Sequence, residues 1–126
     1  MSKYFNKKTV YLDDKRGELK FDSVKEKNYY LELKKQEEEG LITELELQKT
    51  FLLTPSISKK EMIDDNGNKL IQEAERKATY KPDFYFYHNG FKTYIAVDVK
   101  GFKEKTYIVK RKLFKFLYRE IMFLEV

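Results

Sequence analysis

The sequence predicts a single α/β domain of the mixed α+β kind, in which a central mixed sheet is flanked by two helices and preceded by a short hairpin. Asn89-Gly90 stands between two arms of alternating apolar residues, the strongest short hairpin signal a chain carries. One stretch carries helix punctuation at both ends and another a helical apolar stripe, and the elements fall in the order helix, three strands, helix, strand. The 126 residues are enough for one domain over 1–126 with a real core.

The elements follow in turn. Residues 8–12 and 18–21 read as a hairpin around Asp13-Asp14-Lys15-Arg16-Gly17, with Gly17 supplying the positive φ. A helix then opens at Ser23, with Glu26 three residues later as a capping box, and closes at Gly40 after Glu37-Glu38-Glu39. Its expected buried stripe is Val24, Tyr29, Tyr30 and Leu33. Residues 42–53 alternate as a strand that bends or breaks midway, and Pro55 closes it. Residues 55–68 read as loop, with a turn at Asp64-Asp65-Asn66-Gly67-Asn68. Glu73, Ala74 and Glu75 suit a helix, but the position of 69–80 just before the hairpin favours a strand. A basic helix over 105–118, with Val109, Leu113, Phe116 and Leu117 as its apolar stripe, precedes a last strand over 121–126.

The central hairpin sets the chemistry. With a two-residue turn at Asn89-Gly90, His88 pairs with Phe91 and Asp83 lies opposite Ala96. Alternation then sends Phe84, Phe86, Phe91, Ile95, Val97 and Val99 to a core face, and Asp83, Asp98 and Lys100 to the other. Asp83 and Asp98 become diagonal neighbours, roughly 7–8 Å apart at the Cα, close enough for both carboxylates to reach one cation. Two hard oxygen donors beside a lysine are what metal-assisted phosphodiester hydrolysis needs. A solvated strand edge carrying one ion pair is the plainer explanation of the same residues.

Charge distribution bears on the partner. The net +5 lies wholly in residues 99–126, where eight Lys/Arg face three Glu; the first 98 residues balance. Lys100, Lys103, Lys110 and Lys112 belong to that segment, where a polyanion would approach the carboxylates. The chain has no cysteine, which excludes disulfides and thiolate zinc sites and fits a reducing interior. No stretch approaches the roughly 20 apolar residues of a membrane span, and the N-terminus lacks a signal-peptide core, so the cytoplasm is expected and no membrane partner.

The element order, the helix glutamate Glu26, and Pro82-Asp83 followed by Asp98-Val99-Lys100 resemble the PD-(D/E)XK nuclease superfamily, whose core is αβββαβ and restriction-endonuclease-like. The segments Phe21-Asp22-Ser23-Val24-Lys25-Glu26, Leu45-Glu46-Leu47-Gln48, Tyr80-Lys81-Pro82-Asp83-Phe84 and Asp98-Val99-Lys100-Gly101-Phe102 are more closely similar to a family of small, uncharacterised phage-encoded proteins placed in that superfamily. The likeness continues through Thr106-Tyr107 and Lys110-Arg111-Lys112-Leu113-Phe114. The resemblance implies a magnesium-dependent DNA endonuclease, with manganese able to substitute, of the junction-resolving type used in phage recombination or replication. It implies a setting in a phage-infected or prophage-bearing bacterial cytoplasm. On this sequence it makes Asp83 and Asp98 metal ligands, Lys100 the lysine that organises the nucleophilic water, and Glu26 a further acid completing the shell directly or through water. Asp98 is one methylene shorter than the glutamate common at that position, which tightens the reach.

The remaining candidates each have two explanations. Glu26 is equally the N3 member of the capping box, a structural role worth about 1 kcal/mol. Gln48 lines the site in the resemblance, whereas a lone polar strand residue is ordinarily exposed. Lys103, Lys110 and Lys112 can grip phosphates or simply solvate a helix. His88, remote from Asp83, is assigned a structural role, and Tyr85, Tyr87 and Tyr94 are assigned to packing. Two symmetric cuts at a junction call for a homodimer, and so small a chain is compatible with a nuclease subunit that needs a partner protein. A DNA-binding or recruitment module without catalysis is the alternative from another class.

Overall fold

The structure, a computed structural model, describes residues 10–14, 17–100 and 103–126. Strands β1 (Val10–Asp14) and β2 (Gly17–Phe21) form the first hairpin, antiparallel, with Gly17 at φ +91°. Residues 8 and 9 of the expected first arm, and Lys15 and Arg16 of its turn, lie outside the described residues.

Helix α1 (Val24–Glu38) is bounded by the devices its sequence announces. Ser23 Oγ accepts from the Glu26 amide at 3.1 Å, and Glu26 Oε1 reaches back to accept from the Asp22 amide at 3.1 Å. At the other end Leu41 N–H donates to Gln36 O and Gly40 N–H to Glu37 O, a Schellman closure that needs Gly40 at φ +80°. Tyr30 and Leu33 are buried as expected; Val24, expected in the stripe, is exposed because the helix turns Glu26 inward instead.

The expected break in the next strand is real. Strand β3 (Ile42–Leu47) carries a bulge at Glu44, φ +57°, and is followed by Gln48 at φ +53° before β4 (Phe51–Thr54) begins. The expected loop over 55–68 contains a strand, β5 (Lys60–Ile63), before the expected turn at Asp64–Asn68, and the strand expected over 69–80 is two, β6 (Lys69–Gln72) and β7 (Ala78–Tyr80). β4 pairs with β7 and β5 with β6, and an Ile57–Glu75 bridge joins the two pairs, so 51–80 is one long antiparallel ribbon. Its distal strands show no alternating burial because both faces meet solvent, which removes the periodicity that marks a strand.

Strands β8 (Phe84–His88) and β9 (Thr93–Asp98) form the central hairpin, with a register two residues away from the expected one. His88 pairs with Thr93, not Phe91, and the loop is Asn89–Lys92. A two-residue turn of the expected type needs positive φ at both Asn89 and Gly90, and neither has it. Asn89 is committed elsewhere: its side chain donates to Gly40 O at 2.8 Å and its amide to Leu41 O at 2.9 Å. His88 Nδ1 accepts from the Gly90 and Phe91 amides, confirming a structural histidine, while Lys92 at φ +55° closes the loop onto His88 O. Phe91, expected in the core, is exposed in that loop. An even shift preserves facing, so Phe84, Phe86, Ile95 and Val97 are buried together as expected.

Helix α2 (Lys105–Leu117) leads to β10 (Met122–Glu125), parallel to β9. The main sheet has the order β10-β9-β8-β3, and its elements follow the chain as α1, β3, β8, β9, α2, β10: a mixed sheet flanked by two helices. One core joins Phe84, Phe86, Ile95 and Val97 to Tyr30 and Leu33 of α1 and Phe21 of β2. The other joins Ala96 to Phe51, Leu53, Tyr80 and the α2 residues Tyr107 and Phe114. Of the expected α2 stripe only Leu113 packs on this core: Val109, Phe116 and Leu117 are exposed, and Tyr107 and Phe114 face inward. Among the described residues no helix is long and apolar enough to cross a membrane.

Candidate active site

The two-residue shift changes the relation of the two aspartates from diagonal to direct. Phe84 pairs with Val97, so one further step along the ladder sets Asp83 across from Asp98. Pro82 precedes Asp83 and is itself fully buried, which fixes the backbone just before the strand. Both carboxylates are buried, Asp98 at 1% exposure.

Three of the four oxygens have a defined neighbour. Asp83 Oδ2 accepts from the Val99 amide at 2.8 Å. Asp98 Oδ2 accepts from the Tyr80 hydroxyl, and Asp98 Oδ1 lies 3.8 Å from Lys100 Nζ. Lys100 in turn stands 4.6 Å from the centre of the Tyr107 ring, a cation–π contact that holds the ammonium over α2. No buried side-chain nitrogen or oxygen among the described residues is without a partner.

Burial lifts the Asp83 carboxyl well above the ordinary carboxylate range, and a hydrogen bond to Asp98 and that residue's charge lift it further; the Val99 amide opposes. Two buried acids thus face each other across the ladder. Glu26 is also raised, by burial first, then opposed by the Asp22 amide and raised by the charges of Asp22 and Asp98. The Tyr80 hydroxyl is pushed far upward by burial and by its bond to Asp98, so it stays a donor.

A cleft of about 350 Å³ opens beside the pair, lined by Lys20, Phe21, Asp22, Glu26, Leu47, Gln48 and Asp83. Glu26, Gln48 and Asp83 thus share one cavity, contributed by α1, the end of β3 and the start of β8. Gln48 is placed there by its positive φ and by its amide, which donates to Asp83 O at 3.1 Å. Among the described residues, however, no three His, Cys, Asp or Glu side chains gather closely enough to hold a metal together. Asp83 and Asp98 face each other across the ladder, and Glu26 lines the same cleft as Asp83.

The basic residues divide. Lys103 pairs with Glu125 at 3.0 Å, as does Arg111 at 3.1 Å, and the Tyr107 hydroxyl donates to the same carboxylate. Lys112 is exposed and Lys110 half-buried on α2, and no α2 residue lines the cleft. Tyr85 stacks on Tyr94 at 5.2 Å, and Tyr94 meets Tyr87 edge-on at 5.0 Å, in keeping with packing.

Sequence reasoning missed Tyr80, Tyr107 and Glu125. Glu125 sits beside Asp98 in the parallel ladder, a relation that requires knowing β10 docks on β9. Tyr80 stands two residues before Pro82, but the ribbon that presents it to Asp98 left no periodic trace.

A family model described as a protein of unknown function (DUF1064) matches residues 1–125. No curated protein and no solved structure matches the chain.

Proposed function

The chain belongs to the family described as protein of unknown function (DUF1064), and for this member we propose a metal-dependent DNA endonuclease that hydrolyses phosphodiester bonds. The observation that carries the proposal is the pair of buried, facing acids Asp83 and Asp98, with Lys100 at 3.8 Å and a cleft at their side. Two carboxylates buried face to face are a poor structural device, and their oxygens suit a cation.

The donor set suits a hard cation such as magnesium or manganese, since every acidic donor is oxygen. Asp83 and Asp98 would hold it, with Glu26 contributing across the cleft through water. When bound, the cation supplies positive charge to the attacked phosphate and to the water beside it. The chain's own residues do the rest. Asp83, whose carboxyl is raised, would have to ionise to serve as a ligand, which would couple affinity to pH. Lys100 presents its ammonium on the Asp98 side, where it can orient the attacking water and offset charge developing on phosphorus. Tyr80 fixes the Asp98 carboxylate by its hydroxyl, and Gln48 offers an amide to the phosphate or water in the cleft. Lys110 and Lys112 supply non-specific attraction for the backbone.

The order α1, β3, β8, β9, α2, β10 supports membership of the PD-(D/E)XK superfamily, and with it a role in phage recombination or replication within an infected or prophage-bearing bacterial cytoplasm. Branched DNA is the substrate of first choice.

The test is a nicking assay on plasmid and four-way-junction DNA with magnesium or manganese, comparing wild type with Asp98→Ala and Lys100→Ala, each checked by circular dichroism. Cleavage by the wild type and a loss of at least about 100-fold in each variant, with DNA binding retained, is expected. Equal cleavage by all three proteins refutes the site. DNA binding without cleavage by the wild type identifies a recruitment module, or a subunit that cuts only beside a partner protein.

A further inference from the structure

We infer that the β5–β6 end of the ribbon is a self-association surface, on which β5 pairs antiparallel with β5 of a second copy of this chain. The ribbon's root is secured: Phe51, Leu53 and Tyr80 belong to the core under α2. Its outer half is not. Every residue of β5 and β6 is exposed, Met62 to 69% and Leu70 to 71%, with Ile63 and Ile71 also exposed. A two-stranded ribbon is marginal alone, and this one carries apolar side chains on both faces beside open strand edges.

Charge selects the occupant. Residues 55–77 contain five Lys/Arg and five Asp/Glu, so the ribbon is neutral on a chain whose net charge is +5. A neutral arm with apolar faces suits a protein and not a polyanion. Strand β5 and its flanks read Lys59-Lys60-Glu61-Met62-Ile63-Asp64-Asp65, basic at one end, apolar in the middle, acidic at the other. That pattern complements itself when reversed. A two-fold axis through Met62 sets Lys60 opposite the second copy's Asp64, and Lys59 opposite its Asp65, twice per dimer. Because Met62 pairs with Leu70 within the ribbon, the four strands then carry one unbroken apolar stripe, Leu70, Met62, Met62, Leu70. Strand β6 lacks this property: a reversal about its centre opposes Lys69 to Gln72.

The inference does not rest on the nuclease reading, since the mass of the protein in solution needs no catalysis. Sedimentation equilibrium on the full chain should give a dimer at micromolar concentration, twice the 15.3 kDa of one copy. Met62→Lys, which puts two ammonium groups on the axis at a site already exposed, should yield a folded monomer. Lys59→Glu and Asp65→Lys should each weaken the dimer about tenfold, since each reverses two contacts at once, and an equimolar mixture of the two should restore it. A monomeric wild type, a dimer indifferent to Met62→Lys, or failure of the mixture to recover would overturn the inference. Loss of DNA affinity in Met62→Lys with no change of mass would put nucleic acid on the ribbon and overturn it equally.

Discussion

Replacing Asp83 by Asn separates what the acid pair does for the fold from what it does for a cation. The substitution removes an acid that burial and Asp98 hold above its ordinary range, and the new side-chain oxygen can still accept from the Val99 amide. Apo stability should be unchanged or raised by about 1–2 kcal/mol, the scale of one buried polar group's desolvation. The cation response should vanish. At a concentration 100 times Kd a ligand stabilises by about 2.7 kcal/mol. With 126 residues and about 2.1 cal/mol/K of unfolding entropy per residue, Tm should rise by about 10 °C in the wild type. The sign with pH follows from the raised folded-state value: Asp83 favours folding below its unfolded range, and that contribution is lost as pH rises toward its folded one. The apo protein therefore loses stability over that window while cation affinity gains, so the magnesium shift should grow between weakly acid and weakly alkaline buffer. Differential scanning fluorimetry with magnesium and manganese measures all of this. A shift that persists in Asp83→Asn, or an apo variant several kcal/mol less stable, would refute the reasoning.

Two further outcomes are expected. The Glu125 carboxyl is held down to about 2 by the Tyr107 hydroxyl, with Lys103 and Arg111 assisting, so its contribution is present above the ordinary carboxylate range. That contribution is lost as pH falls from about 4.5 toward 2, and acid unfolding followed by circular dichroism should be less steep in Glu125→Gln. Ser23→Ala removes the cap of α1 and should cost about 1 kcal/mol in urea unfolding, whereas Val24→Ala, at an exposed position, should cost far less.

Local chemistry was the legible part of this chain. Ser23, Glu26 and Gly40 bound α1 where their side-chain and backbone requirements say they must, and the break after Leu47 falls where alternation falters. Long-range competition was not legible. Asn89-Gly90 announces a two-residue turn, yet Asn89 is engaged by Gly40 and Leu41 from a segment 49 residues away, and the loop opens to suit. On α2 two helical stripes compete, and the one that wins runs through Tyr107 and Phe114 with Arg111 between them. A charge at the inward position conceals that stripe until its partner Glu125 is known. The acids themselves were identified as a pair, although Gln48's place beside them depends on a positive φ that no glutamine advertises.

Mounting the aspartates on neighbouring strands makes their separation a counted quantity. Pairing advances by whole residues, and two residues of slippage move a side chain by roughly 7 Å along the strand, so the gap between the acids cannot drift by fractions. Lengthening the Asn89–Lys92 connection should therefore leave the acids where they are. One residue inserted between Phe84 and His88 would turn the strand over and hand the aspartate's place to a phenylalanine.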